Sequence, residues 1–134
     1  MPFKKDHPYP FAHMTYFALA DQSPKFVEDF VAYCKRYLGG HPDQRHFSLA
    51  TRALEINRDV SVLDFDVAMH MIFRTKSAYD DYLKDPRHDE FITVTAGMST
   101  GRRVFDSYIQ EETNLPIKAG PAKLKRTKKA KKTR

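Results

Sequence analysis

YDDYLKDPRHDEF, residues 79–91, is the stretch on which the fold turns. Its spacing is helical, yet Asp85-Pro86 falls between Tyr82 and His88. Proline removes a backbone donor and clashes inside a helix, but it is well placed at the first helical position after an aspartate cap. The stretch therefore predicts two helical pieces rather than one broken helix. His88 becomes the third residue of the second piece, with Asp89 and Glu90 in the same first turn. Free amide groups and the positive end of the helix dipole surround that position, which favours a neutral imidazole. His88 shares a face with Phe91, Ile92 and Thr95, and that face should meet a sheet.

Working outward, FDVAMHMIF (65–73) alternates in the period of a strand, within a candidate spanning Asp64 to Phe73. A second candidate runs from Gln44 to Ile56, with a polar loop from Asn57 to Leu63 between them. His13 to Ala20 and Thr100 to Gln110 supply the first and last strands. Ser23-Pro24 opens a helix whose apolar face holds Phe26, Val27, Phe30, Val31, Cys34, Tyr37 and Leu38, and Gly39-Gly40 ends it. Lys76 to Met98 returns to helical spacing around Pro86. The order β-α-β-β-α-β predicts a ferredoxin-like α+β domain: a four-stranded antiparallel sheet with its helices on one face. The other face would carry Met14, Tyr16, Ala18, Ala68, His70 and Ile72, too apolar a set to leave in water. A homodimer packing two such faces is the simplest remedy.

The chain has 134 residues, enough for one domain. Its net charge of +6 is unevenly placed. Residues 118–134 hold nine Lys/Arg and no acid, and without them 14 basic residues face 17 acidic ones, a net of −3. The organisation expected is an extended arm at 1–11, a domain at 12–110 and a basic, disordered tail at 111–134. The tail invites weak, non-specific nucleic-acid contact through counterion release, and it has no aromatics to stack on bases. A single cysteine, Cys34, excludes a disulfide within the chain and reads as a buried thiol on the first helix. No apolar run approaches a membrane span and no leader is evident, so the expectation is a cytoplasmic protein without membrane contact.

Four pieces carry a family likeness: AHMTYFAL, FDVAMHMIF, YLKDPRHDEF and VFDSY. Together they resemble the stress-responsive A/B barrel (Dabb) family, over roughly residues 12–109. The resemblance implies a dimeric α+β barrel. Members include plant stress-induced proteins without an assigned reaction and a polyketide cyclase catalysing an aldol condensation. By likeness to that cyclase, the catalytic pair falls on Tyr82 and His88, with His13 and Asp106 in support. Where the cyclase has a second histidine before the proline, this chain has Asp85.

The chemistry of these residues agrees with the likeness. A neutral His88 can take a proton from carbon beside a carbonyl, Tyr82 can donate to the carbonyl oxygen, and Asp106 can orient a histidine. His13 alternates with Thr15, Phe17 and Leu19, so these share one face. The expected pocket lies between sheet and helices, lined by Thr15, Phe17, Phe30, Met69 and Phe91, for a small aromatic or polyketide-like ligand. Each residue also has a plainer reading. His88 could be an exposed cap, Tyr82 could pack on Tyr79, His13 could be structural, and Asp106 could pair with Arg102 or Arg103. The six histidines show no paired ligand spacing, and there is no Gly-rich phosphate loop, so neither metal nor cofactor is expected. Catalysis itself is left open, a non-catalytic ligand-binding dimer being the alternative.

Overall fold

The computed structural model describes residues 7–113. Its elements are β1 (Phe11–Leu19), α1 (Pro24–Leu38), β2 (Gln44–Thr51), β3 (Val67–Phe73), α2 (Lys76–Lys84), α3 (Pro86–Val94) and β4 (Ser99–Tyr108). The four strands form one antiparallel sheet in the order β2-β3-β1-β4. This is the ferredoxin-like arrangement, with the second helix divided into α2 and α3.

The division follows from Asp85-Pro86. Asp85 closes α2 and caps α3, its side chain accepting from the Arg87 amide at 2.8 Å, and Pro86 takes the first helical position. Arg87 then reaches across to α1, where its guanidinium donates to the carbonyls of Arg36 and Gly39, the latter at 2.8 Å. A cation on those free carbonyls closes the C-terminus of α1 and ties it to α3. Gly40, at φ 75°, turns the chain back so that the His41 ring bonds the Tyr37 carbonyl at 2.9 Å.

The core lies between the sheet and α1. Phe30, Cys34 and Leu38 of α1 meet Phe17, Leu19, Val67, Met69, Met71 and Phe73, all buried. Burial pushes the Cys34 thiol up to about 12, so it stays protonated. On β1 the parity is as expected: His13, Thr15, Phe17 and Leu19 are buried under the helices, while Met14, Tyr16 and Ala18 are partly exposed opposite.

Several details differ from the sequence reading. β1 begins at Phe11, two residues early, because Phe11 and Ala12 already pair with β3 and β4. Ser23 stands at the cap of α1, but its side chain makes no capping bond. β2 stops at Thr51 and β3 starts only at Val67. Asp64 and Asp66 therefore precede the strand: Asp64 pairs with Arg103 at 2.6 Å, and Asp66 accepts from the Leu19 amide at 2.8 Å beside a register shift in β1. Phe65 consequently leaves the β3 alternation and packs edge-on to Tyr16 at 5.1 Å, on the uncovered face. Of the tail expected at 111–134, residues 114–134 lie outside the described residues, as do residues 1–6 of the arm.

Candidate functional site

The cyclic side chains converge where α2 and α3 meet the sheet. Tyr82 is 2% exposed and sits in a cage of rings. The His88 ring stands perpendicular to it at 5.0 Å, His41 likewise at 4.9 Å, with Phe73 at 5.3 Å and His13 at 6.3 Å. The tyrosine hydroxyl has no hydrogen-bond partner among the described residues, and neither does the His88 imidazole. An orphaned polar group at such depth is costly, so a native structure usually supplies it a partner, protein or otherwise. Burial raises the Tyr82 phenol well above the ordinary tyrosine range, with smaller contributions from Tyr79 and Cys34. It is a donor, not a base.

His88 is only half-buried. Its pKa lies below the usual 6.5, chiefly because burial disfavours the imidazolium; Asp89 opposes this, while His13, His41 and Arg102 add to it. The helix position predicts the same direction, but desolvation is the larger cause.

His13 is held differently. It lies directly opposite Asp106 across the β1–β4 pair, and its Nδ1 is 2.6 Å from the Asp106 carboxylate. With Nδ1–H donated to the carboxylate, Nε2 accepts from the Thr15 hydroxyl at 3.3 Å. Asp106 thus orients His13 rather than His88, and it pairs with neither Arg102 nor Arg103.

His13, Tyr82 and His88 line one cavity of about 190 Å³, together with Thr15, Phe17, Met69 and Phe91. Asp106 stands behind His13 instead of in the wall. Phe30 does not line this cavity; it faces an adjoining hollow beyond Phe17 and Phe91. Sequence reasoning missed three neighbours. Tyr79 follows from helical spacing, three residues before Tyr82, and stacks obliquely on His13 at 4.9 Å; burial, aided by Asp106 and Asp80, pushes its phenol up to about 12. Arg102 follows from strand alternation, four residues before Asp106 on the same face, and it lines both hollows. His41 carries no such signal, since only the turn at Gly40 brings it there. Among the described residues, no group of three or more His, Cys, Asp or Glu side chains is placed to hold a metal ion.

The opposite sheet face is open. A hollow of about 440 Å³ lies there among Met14, Tyr16, Val62, Phe65, Arg103 and Phe105. It is larger than the helix-side cavity, but it holds no histidine or tyrosine–histidine pair.

The architecture is that of a ferredoxin-like α+β domain with a pocket beneath its helices, apolar-walled and holding a few polar groups. The chain belongs to the stress-responsive A/B barrel domain family, whose model matches residues 11–109. Among solved structures, it is similar to a Dabb family protein with a ferredoxin-like fold from Mesorhizobium loti, at 20% identity and TM-score 0.64, covering 77% of this chain and 99% of that one. A hydroxynitrile lyase from Passiflora edulis is similar at 18% identity and TM-score 0.62, covering 81% and 100%. A dimeric ferredoxin-like protein of unknown function from Thermobifida fusca is similar at 15% identity and TM-score 0.62, covering 75% and 92%. At these identities the likeness is one of fold. No curated protein matches the sequence.

Proposed function

We propose that the pocket beneath α2 and α3 binds a small carbonyl compound and carries out cofactor-free acid/base chemistry beside the carbonyl. One observation carries the reading: a deeply buried Tyr82 hydroxyl and the facing His88 imidazole line the same cavity, and neither has a protein partner. His88 takes the proton from the carbon next to the carbonyl, the electron pair moves onto oxygen, and the Tyr82 hydroxyl donates to the enolate so formed. The proton then returns at another atom, or the enolate attacks a second carbonyl within the ligand. Isomerisation, tautomerisation and aldol cyclisation all fit, and small aromatic or polyketide-like ligands match the apolar walls. His13, fixed by Asp106, shapes the polar end of the pocket. That a similar fold serves a hydroxynitrile lyase is consistent with enzymatic use of this architecture.

The test is hydrogen–deuterium exchange at the carbon beside the carbonyl in a panel of small aryl ketones in D₂O. The intact protein should accelerate exchange for at least one of them, and His88→Gln or Tyr82→Phe should lower that rate by about 10²-fold. Exchange equal to buffer across the panel rejects the reading.

A non-catalytic ligand-binding role is the second reading. It is favoured by His13, whose two ring nitrogens are both already engaged, so that it offers no second base. In either case we take the protein to act as a cytoplasmic homodimer joined through the open sheet face, an assembly that its dimeric structural neighbours support. Among the described residues, no helix is long and apolar enough to cross a membrane. Weak nucleic-acid contact is assigned to the basic tail; deleting 118–134 should abolish salt-dependent binding, and unchanged binding would remove the tail from the account.

A further inference from the structure

We propose that Arg102 anchors an acidic group of the ligand, so that the pocket takes small aromatic carboxylates bearing an enolisable carbonyl in preference to neutral ketones. This rests on the pocket reading given above and names its ligand class.

Arg102 stands opposite Phe17 on the edge strand β4, on the helix side of the sheet, where it is exposed. It lines the cavity of Tyr82 and His88 and also the adjoining hollow, and these two share Phe17, Phe91, Ile92 and Arg102. Arg102, itself exposed, therefore borders both parts of one elongated cleft. It has no ion pair or hydrogen bond among the described residues. Other arginines of the domain are engaged: Arg74 with Asp43, Arg87 with the end of α1, and Arg103 with Asp64 on the far side of the sheet. The one carboxylate on the same face of β4 is Asp106, which is committed to His13. A free planar cation in a concave site is suited to a carboxylate, which it can hold by two parallel bonds.

The rim supplies the rest of the specificity. Leu83, Ile92 and Val104 line the cavity and are 41%, 56% and 42% exposed. An apolar lip beside an unpaired cation fits a ligand with an aromatic body and one acidic group. Arg102 lines the same cavity as His88, and its charge adds a small part to the lowering of the His88 pKa. A carboxylate docked on Arg102 offsets that charge and makes His88 a stronger base once the ligand is in place. The anchor thus couples binding to proton abstraction: a neutral ketone reaches Tyr82 but leaves the Arg102 charge acting on His88.

Phenylpyruvate and its methyl ester separate the two halves of the argument, because both carry the ketone and only one carries the acid. Each is titrated into the full chain while the His88 ring signals are followed by NMR. The acid should bind at least about tenfold more tightly than the ester, and it should raise the His88 pKa, which the ester should not. Arg102→Gln should remove the preference, bringing the acid to the affinity of the ester, and Arg102→Lys should retain part of it. If acid and ester bind alike and both move His88, the anchor is wrong and the carbonyl pocket stands. A preference that survives in Arg102→Gln also overturns the anchor. If neither compound moves His88, pocket and anchor fail together.

Discussion

The two faces of the sheet are built from alternate residues of the same strands, yet they solve opposite problems. Under the helices, His13, Thr15, Phe17 and Leu19 are sealed into a core that leaves polar atoms in a small cavity. On the other side, Met14, Tyr16, Phe65 and Phe105 surround a wider, mostly apolar hollow that nothing among the described residues covers. The covered face has buried polar groups without partners; the open face has apolar groups without cover. Unmet hydrogen bonds call for a polar ligand, and unmet apolar area calls for a surface of the same kind. The histidines follow the same division. On the open face His46, Ser48 and His70 form a chain of their own at 3.0 and 3.2 Å, remote from the His13–Asp106 pair.

The contrast is most sharply broken at Tyr82. Replacing it with alanine should destabilise the domain by about 3–5 kcal/mol, since the ring fills the cage among Phe73, His41 and His88. Tyr82→Phe keeps the ring and removes only the unpartnered hydroxyl, so thermal stability should stay the same or rise slightly. Thermal melts of the two variants measure this. A large loss in Tyr82→Phe would mean that the hydroxyl is structural.

A smaller effect is expected on the open face. Phe105 is 56% exposed, and Phe105→Asp should leave the fold intact while weakening self-association by about 30-fold or more. Sedentation by analytical ultracentrifugation reads this out; an unchanged assembly would place the contact between copies elsewhere.

The smallest effect concerns pH. His88 and His70 both have pKa values lowered mainly by burial. A depressed histidine costs nothing while it is neutral in both folded and unfolded states. Below the unfolded value near 6.5 the unfolded chain takes up the proton first. Stability should therefore be level above pH 6.5 and decline as the pH falls through the range between that value and the folded pKa. His88→Gln should reduce the slope, as followed by melting temperature against pH, and an unaltered slope would show that His88 does not contribute.

Much of this was legible from local rules. Apolar spacing located α1, the Asp85-Pro86 step located the break between α2 and α3, and strand parity put His13 on the covered face. What escaped were features set by distant backbone. Asp66 belongs to the Leu19 amide rather than to a strand, so β3 starts late and Phe65 turns to the other face. The partner of Asp106 depended on register, which pairs it with His13 across the sheet instead of with a neighbouring arginine. Arg102 and Arg103 look alike in sequence; alternation sends one toward the pocket and the other to Asp64. His41 reaches Tyr82 only because Gly40 allows a left-handed turn.

The central claim is that the Tyr82 hydroxyl is a free donor awaiting a carbonyl oxygen. Carbon-13 NMR of phenylpyruvate labelled at its ketone carbon tests it directly. Binding to the intact protein should move the ketone resonance downfield, as a polarised carbonyl requires, and in Tyr82→Phe the bound resonance should return close to its position in water. A bound resonance that is the same in both proteins would contradict the account.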